Sequence, residues 1–515
     1  MTVTVWVPRD AGAIAVGADA TARRLLEAAR AAGTEVRLRR NGSRGLYWLE
    51  PLVEVECAAG RIAYGPVMER DVPDLVEKGF LRGEAHPLRL GAIEEHPWLA
   101  TQQRLTFARV GRVDPLDLDD YLAHGGYRGL SRALEIGSAA TVQQVIDSGL
   151  RGRGGAAFPT GVKWQTVVNQ QAARTYVACN ADEGDSGTFA DRMLMEGDPF
   201  SLIEGMTIAG LAIGASQGYI YLRVEYPHAR AIMNAAIATA RTAGYLGDDL
   251  CGSGRPFDIE LRLGAGAYIC GEETSMLESL EGRRGEVRVR PPLPAQKGLN
   301  GAPTAVNNVV TLATVPVILA EGAASYREFG QAKSRGTLPL QLAGNIRRGG
   351  LVERAFGLTL RELLYDYGGG SASGRPIRAV QIGGPLGAYV PASQFDTPLE
   401  YEALVGIGAM LGHGGVVAFD DTVDMLGMAR YALQFCAHES CGKCVPCRIG
   451  SVRGAEALDL IARGIDRERN VALVEELCDT MLHASLCGLG GMAPYPVLSA
   501  MQHFGEDFRR PTSGG

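Results

Sequence analysis

The sequence has no long apolar run. One long uncharged stretch, between Glu204 and Arg223, is interrupted by Gly, Ser and Gln. It reads as a helix followed by a strand, not as a membrane span. Positive charge is not in surplus either: 51 Lys and Arg stand against 58 Asp and Glu, a net charge of −7. General nucleic-acid binding needs a basic footprint, and so does a polybasic membrane anchor. Neither partner is expected, nor is direct membrane insertion. The first residues, Met1 to Gly12, lack the basic-then-apolar pattern of a secretory signal, so the expected location is the cytoplasm. Internal repeats and low-complexity tracts are also missing.

Glycine, by contrast, is abundant: 68 of 515 residues, about twice the usual share. Without a collagen period, these glycines belong where backbone turns sharply or approaches a ligand. The length admits about three or four domains, and 46% hydrophobic with 21% charged residues is the composition of a globular chain.

The ten cysteines are unevenly spread. Cys436, Cys441, Cys444, Cys447, Cys478 and Cys487 crowd towards the C-terminus, which in a cytosolic chain points to metal and not to disulfides. The Cys-x2-Cys-x2-Cys spacing of Cys441, Cys444 and Cys447 winds one short loop around a centre. Each thiolate can then reach a different iron of a cuboidal cluster, with a remote cysteine closing the fourth corner. Cys487 is preferred for that corner, because the Gly-rich turn Leu486 to Gly491 lets amides approach the sulfurs. The other reading is a zinc-bearing, non-enzymatic scaffold, although zinc more often takes separated Cys-x2-Cys pairs. Cys436 and Cys478 fall within helical patterns and read as small apolar core residues.

Pattern divides the chain. In residues 1 to 90, Val3, Val5 and Val7 alternate as a strand. Ala20 to Ala32 form a helix that Gly33 can cap, Glu35 to Arg39 a second strand, and Asn41-Gly42 a turn. Arg37, Arg39, Arg40 and Arg44 make a local basic patch, read as a solvated strand edge or as a docking surface. Residues 91 to 150 are a linker and helical lead-in. From 150 to 330, strands such as Thr175 to Cys179 and Gly218 to Leu222 alternate with helices, as in an α/β domain. From 335 to 420, short strands Leu338 to Leu342 and Ile377 to Ile382 flank the helix Thr359 to Tyr367, a compact β-grasp-like insert. From Asp421 the chain is mostly helical.

Four loops carry candidate chemistry. Arg151-Gly-Arg-Gly-Gly-Ala-Ala-Phe158 is neither a dinucleotide fingerprint nor a Walker A loop. Its small residues leave amides open near a helix start, where phosphate is favoured; a plain Gly-rich turn is the alternative. The strand Tyr176 to Cys179 runs into Asn180-Ala-Asp182-Glu183-Gly-Asp185. Carboxylates at a strand's C-terminal end accept hydrogen bonds from sugar hydroxyls and disfavour a 2′-phosphate; a solvated acidic loop is the alternative. Gly264 to Thr274 repeats this grammar, and a fourth loop, rich in Pro and Gly, ends on Asn307-Asn308, which can serve phosphate and polyol groups.

In this order the motifs Gly-Arg-Gly-Gly-Ala, Asn-Ala-Asp-Glu, Gly-Ala-Tyr-Ile-Cys-Gly-Glu-Glu-Thr, Val-Asn-Asn-Val and Glu-Ser-Cys-Gly-Lys-Cys-x2-Cys-Arg resemble the NADH-binding flavoprotein subunit of respiratory complex I and its soluble relatives. The resemblance implies FMN, an NAD(H) site and a [4Fe–4S] cluster held by Cys441, Cys444, Cys447 and Cys487. It implies a multidomain α/β and α fold. Its parts are a thioredoxin-like domain over 1–90, a Rossmann-like FMN and NAD domain over 91–334, a ubiquitin-like β-grasp insert over 335–420, and a helical iron–sulfur domain over 421–515. On the same resemblance Gly152, Gly154, Gly155 and Lys163 hold the FMN phosphate side. Asn180, Asp182, Tyr268, Gly271, Glu272, Asn307 and Asn308 line the flavin, and Phe158, Glu183, Asp185 and Glu273 face the dinucleotide. Hydride transfer belongs to the flavin, so no side chain is assigned as a catalytic acid or base.

Two departures are visible. The family loop often has glycine where this chain has Ala157, and a Lys-Pro-Pro-Phe stretch stands here as Arg290-Pro-Pro-Leu293. The loop Asn180 to Thr188 and the segment Arg39 to Pro51 resemble the β subunit of NAD-dependent molybdenum or tungsten formate dehydrogenases. That implies a formate-oxidising molybdenum or tungsten subunit and a small [2Fe–2S] thioredoxin-like subunit as partners. The diaphorase subunit of an NAD-reducing hydrogenase or of complex I is the alternative. With Cys57 as its single cysteine, the N-terminal domain holds no four-thiolate cluster, and its expected role is docking.

Overall fold

The computed structural model describes residues 2–509; the end of the helical region expected over 421–515 lies outside the described residues. β1 (Val3–Trp6), β2 (Val36–Arg39), β3 (Val53–Cys57), β4 (Gly60–Tyr64) and β5 (Arg89–Ala92) form a sheet in the order β2-β1-β3-β4-β5. β1 and β2 run parallel and the later neighbours antiparallel. Helix Ala18–Ala31 joins the parallel pair. Its buried Ala18, Thr21, Ala22, Leu25 and Ala29 recur at three- and four-residue steps and so share one face. Gly33, at φ 69°, lets the chain leave the helix.

Asn41-Gly42 is not a turn between paired strands. Asn41 Nδ2 donates to Gly111 O at 2.7 Å. Gly42 packs against Gly197, so closely that a Cβ would stand 2.7 Å from its Cα. The neighbouring arginines are consumed in the same joint. Arg39 pairs with Asp117 and Asp120 at 3.0 and 2.8 Å, and Arg40 with Asp19 at 2.6 Å. Buried Arg44 grips Glu54 through two bonds of 2.7 and 2.8 Å and reaches Glu94 at 2.9 Å. Of the four arginines only Arg37 is exposed. The expected basic patch is therefore no surface patch, because carboxylates of the same chain neutralise three of its four charges.

β6 (Tyr176–Ala181), β7 (Gln217–Leu222), β8 (Asp258–Leu263) and β9 (Thr304–Asn308) make an all-parallel sheet in the order β8-β7-β6-β9. β6 runs two residues beyond its expected end, carrying Asn180 into the sheet. The uncharged run is explained by helix Pro199–Ile213, buried on every side, followed by β7. After β8 the chain crosses to the far side of β6 to lay down β9. That reversal opens a crevice at the C-terminal ends of β6 and β9, where ligands of such sheets bind.

β10 (Gly330–Gln331) and β11 (Ser334–Arg335) form a short hairpin leading into a second mixed sheet. β12 (Thr337–Gly344), β13 (Gly350–Ala355), β14 (Ile377–Ile382), β15 (Tyr389–Pro391) and β16 (Gly415–Asp420) lie in the order β13-β12-β16-β14-β15, with β12 and β16 parallel. The helical segment Leu360–Tyr367 follows β13; Thr359 and Glu362 form its capping box. Four helices, Met425–Glu439, Val445–Ala462, Arg467–Ala484 and Pro494–His503, dominate the C-terminal region. Among the described residues no helix is long and apolar enough to cross a membrane.

Candidate functional site

The crevice above β6 and β9 opens into a cleft of about 400 Å³, within the usual range for small-molecule sites. The glycine loop forms one wall. It is closed by Gly152 N donating to Phe158 O at 2.8 Å, and Arg153 N donates to Thr311 Oγ1 at 2.8 Å. The amides of Gly152 and Arg153 are thus spent on the loop itself. Only Gly154, Gly155 and Ala156 reach the cleft, which corrects the expectation that Gly152 serves a phosphate. A Cβ at Gly154 would stand 2.9 Å from Asn308 Cβ, and Gly155 has φ +106°, so both need glycine. Ala157 sits at φ 53°, in the left-handed region that the family's glycine occupies freely; alanine there costs roughly 1 kcal/mol.

The acidic loop lies opposite. Asn180 Nδ2 donates to Gly271 O at 2.7 Å, tying β6 to the loop that carries Tyr268 and Glu272. Asp182 is largely buried, its Oδ2 has no partner, and burial raises its pKa to about 7. Asp185 accepts from the Tyr268 hydroxyl at 2.7 Å, and its pKa is raised by burial. Glu183 accepts from the amides of Asp191 and Arg192, both at 3.0 Å. Glu272 spends one carboxylate oxygen capping helix Glu273–Leu280 through the amides of Thr274 and Ser275.

Sequence reading does not single out His413, yet it completes this wall. Its Nδ1 donates to Arg153 O at 2.5 Å, and its Nε2 lies 3.3 Å from both Glu183 Oε1 and Asp191 Oδ1. Burial alone would lower its pKa, but the two carboxylates outweigh that and raise it well above the ordinary histidine value. The same imidazolium, with the two amides, offsets the burial of Glu183 and holds its pKa down. His413 arrives from the insert, in Gly412-His-Gly-Gly415 just before β16, with Gly383, Leu386 and Met410 beside it in the cleft. Its only trace in the sequence is one more glycine-rich stretch.

Several expected residues stand outside the cleft lining. Asn307 Oδ1 accepts from Trp164 Nε1 at 2.9 Å, behind the sheet end. Lys163 Nζ donates to Val306 O at 2.9 Å and approaches Glu273 at 3.3 Å. Phe158 and Leu293 expose their side chains to solvent. Asn308 does line the cleft; its Oδ1 accepts from Thr311 N, and its Nδ2 donates to Asp191.

The cysteines occupy the neighbouring corner. Cys444 precedes helix Val445–Ala462 as its N-cap, Cys447 lies in that helix's first turn, and Cys487 is the N-cap of Gly488–Met492. Gly442, at φ 78°, turns the loop between Cys441 and Cys444. Lys443 Nζ donates to Val287 O at 2.6 Å and Arg284 to Cys441 O at 3.2 Å, which anchors the loop to the α/β domain. Glu439 accepts from Tyr268 N at 2.9 Å. Gly488, Leu489 and Met492, which follow Cys487 directly, line the cleft. Cleft and cysteine centre therefore share one wall.

Comparison with known proteins agrees with this geometry. Residues 145–317 match the model of the Nuo51 FMN-binding domain, and residues 427–511 that of the NADH-ubiquinone oxidoreductase-F iron-sulfur binding region. Over 407 residues the chain is 45% identical to the NADP-reducing hydrogenase subunit HndC of Solidesulfovibrio fructosivorans, covering 79% of this chain and 83% of that protein. It is 41% identical over 418 residues to an NADH-quinone oxidoreductase subunit of Escherichia coli, covering 81% and 92%. The chain belongs to this family of NADH-binding FMN and iron–sulfur flavoprotein subunits. A crystal structure of an NAD+-reducing [NiFe]-hydrogenase in the H2-reduced state superposes with a TM-score of 0.70 at 30% identity, covering 99% of this chain and 86% of that one.

The residues fit the family's cofactors, FMN, NAD and a [4Fe–4S] cluster. The bare backbone at Gly154 and Gly155 and the unpaired Asp182 Oδ2 are what a flavin nucleotide requires. The iron–sulfur model spans all four candidate ligands, which sets aside the zinc scaffold. Among the described residues, the one trio of ligand atoms crowded within 4.8 Å is Glu183, Asp191 and His413. The thiols are spread more widely than a single tetrahedral ion demands.

Proposed function

We propose that this flavoprotein subunit passes electrons between NAD(H) and an iron–sulfur relay, reducing NAD within a formate dehydrogenase complex. The common wall of cleft and cysteine centre carries the electron-transfer part: Cys487 and the cleft-lining Gly488 are consecutive residues. FMN, when bound, exchanges a two-electron hydride with NAD(H) and single electrons with the cluster. The chain's own residues hold and insulate. Gly154 and Gly155 bring bare backbone to the phosphate side, and Asp182 offers an unpaired acceptor. Leu386, Met410, Leu489 and Met492 give the cleft an apolar cover, and Cys441, Cys444, Cys447 and Cys487 hold the cluster. Lys163 and Asn307 brace the sheet end behind the flavin, while Phe158 and Glu273 stand at the rim where a dinucleotide enters.

Asp185 and Glu183 place carboxyl groups where a ribose is read, which favours NAD over NADP. HndC carries NADP in its name, so NAD choice is argued for this chain from its own side chains. The kcat/KM ratio for NADH over NADPH tests it; a preference for NADPH refutes the assignment.

The strand order β2-β1-β3-β4 with its crossover helix supports a thioredoxin-like docking domain over 1–90. The parallel sheet supports a Rossmann-like domain over 91–334, and the order β13-β12-β16-β14-β15 a ubiquitin-like insert over 335–420. Formate as the electron source rests on the likeness of Arg39 to Pro51 and Asn180 to Thr188 to formate dehydrogenase β subunits. The implied partners are a molybdenum or tungsten subunit and a small [2Fe–2S] subunit. A hydrogenase reading has its own support: the solved hydrogenase chain matches this one along 99% of its length, N-terminal domain included. The deciding experiment is purification with native partners, followed by NAD reduction assays with formate and with hydrogen. The isolated chain should show flavin and iron–sulfur absorbance and reduce artificial acceptors with NADH, without oxidising formate. A colourless protein overturns the electron-transfer reading, and NAD reduction by hydrogen alone overturns the formate reading.

A further inference from the structure

Six cysteines surround the C-terminal bundle, and four suffice for the cluster. The two left over behave differently. Cys478 is buried within helix Arg467–Ala484 as an apolar side chain. Cys436, in the last turn of helix Met425–Glu439, is fully buried, but its thiol points at the centre. Its Sγ lies 4.0 Å from Cys447 Sγ and 3.9 Å from Leu489 O. Reading Cys436 as mere core filling misses this contact.

The sulfur it faces is unusual among the four. Cys447 is buried at 4% exposure, whereas Cys441, Cys444 and Cys487 are half-buried. Ser440 Oγ lies 3.2 Å from the same Cys447 sulfur. A hydroxyl and a thiol therefore converge on the one ligand position shielded from water. Hydrogen bonds to cluster sulfurs, together with burial, are what set the potential of a cluster of given type. Each donor stabilises the reduced form more, because that form carries the extra negative charge.

We propose that Cys436 is a positioning residue for electron transfer, whose thiol donates a hydrogen bond to the Cys447 sulfur and raises the reduction potential of the [4Fe–4S] cluster. The proposal rests on Cys447 being a cluster ligand. With Cys487 as the fourth ligand, Cys436 is left beside a ligand sulfur and not on an iron. It tunes the driving force between flavin and cluster while leaving cluster assembly to the other four.

The test is a potentiometric EPR titration of the holoprotein as wild type, Cys436→Ala, Cys436→Ser and Cys478→Ala, with iron and sulfide measured first. Wild type without a four-iron complement fails the underlying ligand assignment, separately from this proposal. With the complement present, Cys436→Ala should keep its iron and show a lower midpoint. Cys436→Ser, which retains a donor, should recover all or part of the wild-type value, and Cys478→Ala should leave the midpoint unchanged. Hyperfine coupling to an exchangeable proton on the reduced cluster should weaken in Cys436→Ala and persist in Cys436→Ser. An unchanged midpoint in Cys436→Ala overturns the proposal. So does loss of the cluster in that variant, which would make Cys436 a ligand. Should Cys436→Ala not fold, Cys436→Ser and wild type remain: loss of the exchangeable coupling in the serine variant, or its absence from wild type, is equally fatal.

Discussion

The cysteine centre and the cleft share a wall, yet they are built by opposite means. Cys441, Cys444 and Cys447 come from one short loop, and one distant residue, Cys487, completes them. The cleft draws on two sheets: Asp182, Glu183 and Asp185 follow β6, Asn308 ends β9, and His413 comes from the insert before β16. Its carboxylates are fixed in advance by backbone amides and an imidazolium. The thiols are placed by local backbone: two helix N-caps at Cys444 and Cys487 and the turn at Gly442. A site gathered by spacing survives as long as its ligands survive, whereas one gathered by tertiary structure can be lost from far away.

The largest effect should come from the local site. Cys444→Ser should abolish the cluster while Cys478→Ser keeps it, read as iron per chain and the reduced-cluster EPR signal. Full iron in Cys444→Ser would break the comparison outright. Next come two glycines two positions apart. A side chain at Gly154 meets Asn308 at 2.9 Å, whereas at Gly152 the nearest atom is 3.6 Å away. Gly154→Val should therefore lower FMN stoichiometry by roughly an order of magnitude, since a close backbone approach is lost. Gly152→Ala should leave it near wild type, and equal losses in both would mean that the loop acts as a unit.

A third variant probes the arginine joint, whose residues do not line the cleft. Glu54→Gln removes the buried partner of Arg44 and should cost about 3–5 kcal/mol, as breaking a buried pair does. Denaturant titration of the N-terminal domain reads the loss, and NADH:acceptor activity of the folded fraction should be spared. The smallest effect concerns pH. His413 has a raised folded pKa, so its contribution to stability is full below its unfolded value of about 6.5 and is lost as pH rises through the folded value. The stability of wild type should fall above pH 6.5 relative to His413→Gln, at a rate of about 1.4 kcal/mol per pH unit for one proton, and melting temperatures across that range read it. Parallel curves would show that the histidine titrates alike in both states.

What the sequence made legible follows the same division. The cysteine spacing, the glycine loops and the asparagine pair are local patterns, and the structure brings most of them to one crevice. The strands near 177, 220, 340 and 380 stand where alternation placed them. His413 and Leu489 were not legible, because nothing in their neighbours' spacing says which residues they will meet. The arginines at 39, 40 and 44 misled for the same reason: a run of like charge looks like a surface until the carboxylates at 54, 94, 117 and 120 are folded against it. Gly152 misled differently, since its residue type fits a phosphate loop while its amide is already used at 2.8 Å by Phe158 O.

Arg153 sits inside the glycine loop and is held through its main chain and its terminal guanidinium nitrogens. Its amide is bound to Thr311, its carbonyl to His413, and its guanidinium to Tyr326 Oη and Arg335 O. One partner lies in the helix after β9, one in the passage that follows it, and two in the insert. The insert is therefore not a detachable module appended to a finished nucleotide-binding unit. Recombination that exchanged it for a homologous segment without a donor at position 413 would return a chain of correct length and fold whose cofactor loop had lost a fastening. Engineered chimaeras of these subunits should accordingly be cut outside residues 150 to 415, so that the loop and the residues that clasp it are inherited together.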